Sequence, residues 1–260
     1  MANPCAAILG RLAGGRRLRA AAILCATARL AAAAALCTAG AALPARAADS
    51  IDAAIVFVVD VSGSMDFEEQ TIVRQSHAEA ILSPEVLDLL TSRRFAFAYV
   101  EFASTAAVRV DWTLIDSAAA AGGFVARVVA PGVSVAHKST SISAGMLAAD
   151  VLFDALPWPA DRLVVDVVGD GANNTRPALA PARQRLLDRG VVINGVPLTI
   201  RPQQAGLELI YRQVIGGPGS FYIPLHAGPS EVRETGGIIG MERFPGLPSV
   251  LRQKLLRELL

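Results

Sequence analysis

The 260-residue sequence predicts an α/β domain, with a mostly parallel central sheet, helices on both faces and one antiparallel edge strand. Three observations carry this expectation. Short apolar runs alternate with stretches of helical periodicity. Most runs are apolar almost throughout, as strands covered on both faces are, and not only at alternate positions. Two of them are separated only by Ala103-Ser104-Thr105, hence a hairpin.

The elements follow in order. Residues 54–59 are β-branched, aromatic and alanine, a strand buried on both faces. Residues 71–82 have helical character. The hairpin spans 95–102 and 106–112 and supplies the antiparallel edge. Helices are expected over 117–129 and 143–156, the second ending at Pro157. Another buried strand, 162–168, reads RLVVDVV. A helix over 181–189 has Pro177 and Pro181 near its start and Gly190 after its end. Strand 191–196, helix 207–214 and a short strand at 220–224 follow. The segment 231–260 is expected to be a tail packing on the domain, and its last part, LRQKLLRELL, has apolar residues at helical spacing. No repeat or long linker divides residues 48–230.

The first 47 residues stand apart. They carry six arginines and no acid, an Ala- and Leu-rich run, then Pro44 and Ala45-Arg46-Ala47. That pattern predicts a signal peptide cleaved after Ala47, and export. A retained membrane anchor is the other reading, but Arg29 interrupts the apolar run and makes it a poor span. Six of the 24 basic residues lie in this leader, leaving 18 against 23 acidic residues, a net charge of −5. An acidic domain argues against nucleic acid as a partner. Cys5, Cys25 and Cys37 also lie in the leader, so the remaining chain has no disulfide, thiolate metal site or cysteine nucleophile.

Asp60 and Asp170 each follow an apolar strand, where ligands bind in parallel α/β sheets. Ser62 and Ser64 stand at alternate positions after Asp60, so one carboxylate and two hydroxyls can face the same way. With Thr140, at the mouth of a helix, and Asp170, the set offers five oxygens and no nitrogen or sulfur. Such a set suits a hard divalent cation, Mg²⁺ first and Mn²⁺ or Ca²⁺ as alternatives. With only two carboxylates the cation stays under-neutralised, and an acidic side chain of a partner protein would complete it.

Asp60-Val61-Ser62-Gly63-Ser64 resembles the D-x-S-x-S signature of von Willebrand factor type A (vWA) domains, their metal-ion-dependent adhesion site (MIDAS). Thr140 with Gly145 five residues on resembles the second metal loop, and Asp170 between two glycines the third. The phrases VINGVPL and VIGGPGSFY are similar to an exported bacterial branch of unknown function. The resemblance implies a Rossmann-like vWA fold with the ion at the sheet's upper edge. It implies that Ser62 and Ser64 bind directly, Thr140 and Asp170 directly or through water, and Asp60 from behind. The third loop departs from the family pattern, reading ANNTRP where many relatives are more acidic.

Other readings of these residues compete with this one. Asp60, Ser62 and Ser64 would alone fit an Asx turn or cap, but capping does not call for Thr140 and Asp170. Asp66, Glu68 and Glu69 fit either a second cation site or a helix start answering the helix dipole. His77, His137 and His226 lack metal-ligand spacing, though His137 and Lys138 adjoin Thr140. An aspartyl phosphohydrolase keeps a second aspartate two residues after the first, where Ser62 stands. No G-x-S-x-G elbow or phosphate loop is present. The expectation is an exported binding module rather than an enzyme, with a metal-stabilised scaffold or, less favoured, a Mg-dependent hydrolase as alternatives.

Overall fold

The computed structural model describes residues 50–132, 139–199, 201, 204–226 and 244–260. The leader, His137, Lys138 and residues 231–243 of the tail lie outside the described residues. Six strands form the sheet: β1 (Ala53–Asp60), β2 (Phe95–Phe102), β3 (Ala106–Ile115), β4 (Leu163–Gly169), β5 (Val192–Thr199) and β6 (Leu225–His226). Seven helices are described: α1 (Phe67–Ile81), α2 (Pro84–Ser92), α3 (Ala118–Val129), α4 (Ile142–Asp154), α5 (Leu179–Asp188), α6 (Leu207–Val214) and α7 (Leu247–Leu259).

The strand order is β3-β2-β1-β4-β5-β6. Among the described strands only the β2–β3 hairpin is antiparallel; β1 pairs in parallel with β2 and β4, and β5 with β4 and β6. This is the expected mixed sheet with its antiparallel edge. Every residue of β1 is buried, because its two faces meet different helical layers. Ile55, Phe57 and Val59 face a core completed by α1, α2, α3 and α7. Ala54, Val56 and Val58 face one completed by α4, α5 and α6. A strand covered on both sides has no polar face to show, hence the unbroken apolar run.

Two elements depart from the sequence expectations. Pro84–Ser92 forms helix α2, which no long periodic run announces: its nine residues bury only Val86 and Leu90. Its start is nonetheless written in Ser83-Pro84, a proline in the first turn. The short strand expected at 220–224 lies instead at Leu225–His226, paired with Leu198 and Thr199. The earlier stretch makes one bridge, Tyr222 to Gly195, and Pro224 has no N–H with which to extend it.

Helix α7 belongs to the core. Leu247, Leu251, Leu255 and Leu259 are buried in the same cluster as β1 and α1, each apolar side chain worth about 1.5–3 kcal/mol. The helix also brings charge inside. Lys254 and Glu258 are buried and paired with each other. The Lys254 ammonium lies 2.6 Å from Asp166 Oδ1 in the middle of β4, a buried ion pair. Asn194 on β5 donates to Glu258 at 2.7 Å and accepts from the Phe221 N–H at 3.0 Å. Burial pushes the Glu258 carboxyl up to about 7; Lys254 opposes the rise and Asp166 adds to it.

At the other end of the strands, β1 leads toward β2 on one side while β4 lies on the other. The order reverses between β1 and β4, and a crevice opens beyond their carboxyl ends. Asp60 closes β1, and Asp170 directly follows β4.

Candidate metal centre

Asp60 enters the centre because β1 ends there, and its carboxylate turns back to cap the next loop. Asp60 Oδ1 accepts from the Ser62 N–H at 2.7 Å. Ser62 and Ser64 hydroxyls lie 3.2 Å apart. Ser64 Oγ donates to Asp170 Oδ1 at 2.6 Å, and Thr140 Oγ1 donates to Ser62 Oγ at 3.0 Å. All five sequence-predicted residues therefore meet in one hydrogen-bonded cluster drawn from three loops. Asp60, Ser62, Thr140 and Asp170 are buried, while Ser64 stands at the surface.

Two glycines permit this approach. A Cβ on Gly145 would lie 2.4 Å from a Val58 methyl, so only glycine lets α4 come this close to the sheet and bring Thr140 in. A Cβ on Gly169 would lie 2.8 Å from Asp60 Cβ and 2.9 Å from Oδ2.

The donors fit a hard divalent cation. The set is two carboxylates and three hydroxyls, all oxygen. Among the described residues no group of three or more His, Cys, Asp and Glu is arranged to hold a metal, so the hydroxyls are essential to this candidate. Among the described residues, Asp60 Oδ2 is buried without a hydrogen-bond partner. Burial pushes the Asp60 carboxyl up to about 7, against the Ser62 hydrogen bonds and with a contribution from the Asp170 charge. A buried carboxyl so placed gains from a cation brought to it. Burial likewise raises Asp170, while Ser64, Arg201 and Gln204 pull it down.

The loop that departs from the family pattern holds the second loop in place. Asn174 Oδ1 accepts from the Thr140 N–H at 2.9 Å, and the Asn174 N–H donates to Thr140 O at 2.9 Å. Asn173 Oδ1 accepts from the Ser143 N–H and hydroxyl at the start of α4. Ser141 caps α4 and its N–H donates to Ala103 O. Two residues without a sequence signal also enter. Arg201 reaches Asp170 Oδ2 at 3.2 Å and grips both Glu69 oxygens at 2.9 and 3.1 Å. Gln204 donates to Asp170 Oδ2 at 2.7 Å. Both residues follow β5 and reach the centre only through the fold.

Two of the acids after the first loop, Asp66 and Glu69, have a structural role. Asp66 caps α1, accepting from the Glu69 N–H at 2.9 Å, and Glu69 accepts from the Asp66 N–H at 2.9 Å. This capping box satisfies two donors at the helix start. His77 is a core residue, its Nδ1 2.8 Å from Val73 O and its ring edge-on to Phe57 and Tyr99. His226 is exposed, 3.1 Å from Glu208. Trp112 packs on Phe153 and donates to Leu152 O. The five-residue cluster opens into a pocket of about 590 Å³ lined by Ser64, Asp66, Thr140, Asp170, Arg201 and Gln204.

Residues 50–230 match the family described as "Protein of unknown function (DUF1194)". No curated protein matches the chain. Among solved structures, the chain is similar to proximal thread matrix protein 1 from the mussel byssus with a zinc-occupied MIDAS motif. That likeness has 16% identity and a TM-score of 0.52, covering 81% of this chain and 46% of that one. The PilB minor pilin from Streptococcus sanguinis is similar at 12% identity and a TM-score of 0.56, over 81% and 63% of the two chains. The pilus adhesin SpaC from Lactobacillus rhamnosus GG is similar at 10% identity and a TM-score of 0.56, over 82% and 31%. The chain thus spans less than two thirds of each of these solved chains, and at such identities the likeness shows the fold alone. With most of its length matched, the chain belongs to the DUF1194 family of unknown function, and its fold is that of a vWA domain.

Proposed function

We propose that this protein is an exported, metal-dependent protein-binding module. Ser62, Ser64, Thr140 and Asp170 hold a divalent cation, Mg²⁺ by preference, with Asp60 behind them. The ion's chemistry is that of a hard Lewis acid with a position for an acidic side chain of a partner. The carrying observation is the convergence of these five residues from three loops into a cluster whose buried Asp60 Oδ2 has no hydrogen-bond partner among the described residues.

The chain's own groups divide the work. Asp60 orders the loop through the Ser62 N–H. Asn174 fixes Thr140, and Asn173 holds the start of α4. Ser64, at the surface, faces the incoming ligand. Binding, not catalysis, is favoured because Ser62 stands where an aspartyl phosphohydrolase keeps its general acid. The zinc in the MIDAS motif of the similar byssus protein and the likeness to two pilus proteins support the reading. Export rests on the leader's composition, and no helix among the described residues is long and apolar enough to cross a membrane.

Capture of partners from envelope extract, with Mg²⁺ or with chelator, tests the proposal. Asp60→Ala and Asp170→Ala should each abolish the Mg²⁺-dependent fraction in a domain that remains folded by circular dichroism. An identical captured set with and without the ion would refute it.

A further inference from the structure

We infer that Arg201 is an internal cation that shares Asp170 with the divalent ion and so sets the affinity of the centre. The inference rests on the metal reading above and concerns residues that no family motif singles out. Asp170 is split between two kinds of partner. Its Oδ1 accepts from Ser64 and faces the hydroxyl cluster. Its Oδ2 is held by Arg201 at 3.2 Å and Gln204 at 2.7 Å. A guanidinium on one oxygen draws charge from the carboxylate and adds a positive charge beside the ion.

Arg201 is held there from its other side. Its Nη2 reaches both oxygens of Glu69, and Glu69 is fixed by the capping box of α1, directly after the metal loop. The guanidinium therefore bridges the start of α1 and the third loop. Arg201 is 40% exposed at its side chain, in the wall of the pocket that contains Ser64 and Thr140. Asp60 and Asp170 bring two negative charges to a divalent ion, and the Arg201–Glu69 pair is balanced. Removing the arginine tips this balance toward the ion, and removing the glutamate tips it against.

The two substitutions act in opposite directions, which separates this device from mere structural support. Mn²⁺ serves as probe, with free ion measured by electron paramagnetic resonance on the full chain. Arg201→Gln should bind Mn²⁺ about ten-fold more tightly than the wild type, for two charges near a protein surface. Glu69→Gln retains a capping-box residue and should bind several-fold more weakly. Arg201→Lys keeps the charge and should stay closer to the wild type than Arg201→Gln does. Equal or weaker binding by Arg201→Gln, or unchanged binding by Glu69→Gln, would overturn the inference. Should Arg201→Gln fail to fold, the Glu69→Gln result still decides. Wild-type protein that binds no Mn²⁺ would instead overturn the metal reading itself.

Discussion

Two buried carboxylate clusters sit on the same sheet and are resolved in opposite ways. Under α7, Asp166 and Glu258 face the Lys254 ammonium, and Asn194 ties Glu258 to the backbone beside it. Beyond β1 and β4, Asp60 and Asp170 face hydroxyls, with the Arg201 guanidinium touching only the outer oxygen of Asp170. The first cluster is closed, and its cation is part of the chain. The second opens into a pocket through exposed Ser64. The difference teaches that burial of acids is not by itself a functional signal. What marks the upper cluster is access, together with a donor set that a divalent ion can share.

The largest expected effect comes from breaking the closed cluster. Lys254→Met keeps much of the side-chain volume and leaves two buried carboxylates without their cation, which should cost about 3–5 kcal/mol in urea unfolding. A loss below about 1 kcal/mol would mean that the ammonium is not what balances Asp166 and Glu258. The upper cluster should respond with the opposite sign. Asp60 in the folded chain titrates near 7, above its ordinary 3.8. The folded state then holds a proton that the unfolded chain has released between those values. Metal-free stability should fall as pH rises through that window and level off above it, by roughly 2–3 kcal/mol between pH 5 and pH 8. Glu258 is raised in the same direction and adds to the slope. Asp60→Asn should remove the Asp60 share and stabilise the chelated protein at pH 8, and saturating Mg²⁺ should flatten the wild-type curve. Thermal melts in chelator at the two pH values measure this; an Asp60→Asn variant as pH-sensitive as the wild type would contradict it. The smallest effect belongs to the loop staple. Asn174→Ala removes the bond to the Thr140 N–H and should cost about 1 kcal/mol of stability, with Mn²⁺ affinity lowered and α4 intact by circular dichroism.

The upper cluster is far more legible in the sequence than the lower one. Asp60, Ser62 and Ser64 lie within five residues, and Thr140 and Asp170 each follow a readable pattern, so type and spacing bring all five into view. The lower cluster hides in ordinary features. Asp166 interrupts an apolar strand by one residue. Lys254 and Glu258 are four apart on an amphipathic helix, a pattern that usually marks a solvent-facing pair. Only the packing of α7 across β4 and β5 turns that pair inward. Arg201, Gln204 and the two asparagines are invisible for a related reason: their roles are hydrogen bonds between loops far apart in sequence. Helix α2 escapes a sequence reading because nine residues with two buried positions carry little periodicity.

The closed cluster also bears on the order in which the chain is made. Asn194 and Glu258 are separated by 64 positions, so the strands at the sheet's centre emerge from the ribosome well before α7. Until then Asp166 and Asn194 face the place of a helix not yet synthesised, and burying them there would leave a charge and an amide unmatched. The sheet should therefore stay loosely assembled until residues 254–258 arrive. A chain released before Leu247 is expected to be a protease substrate rather than a smaller version of the domain.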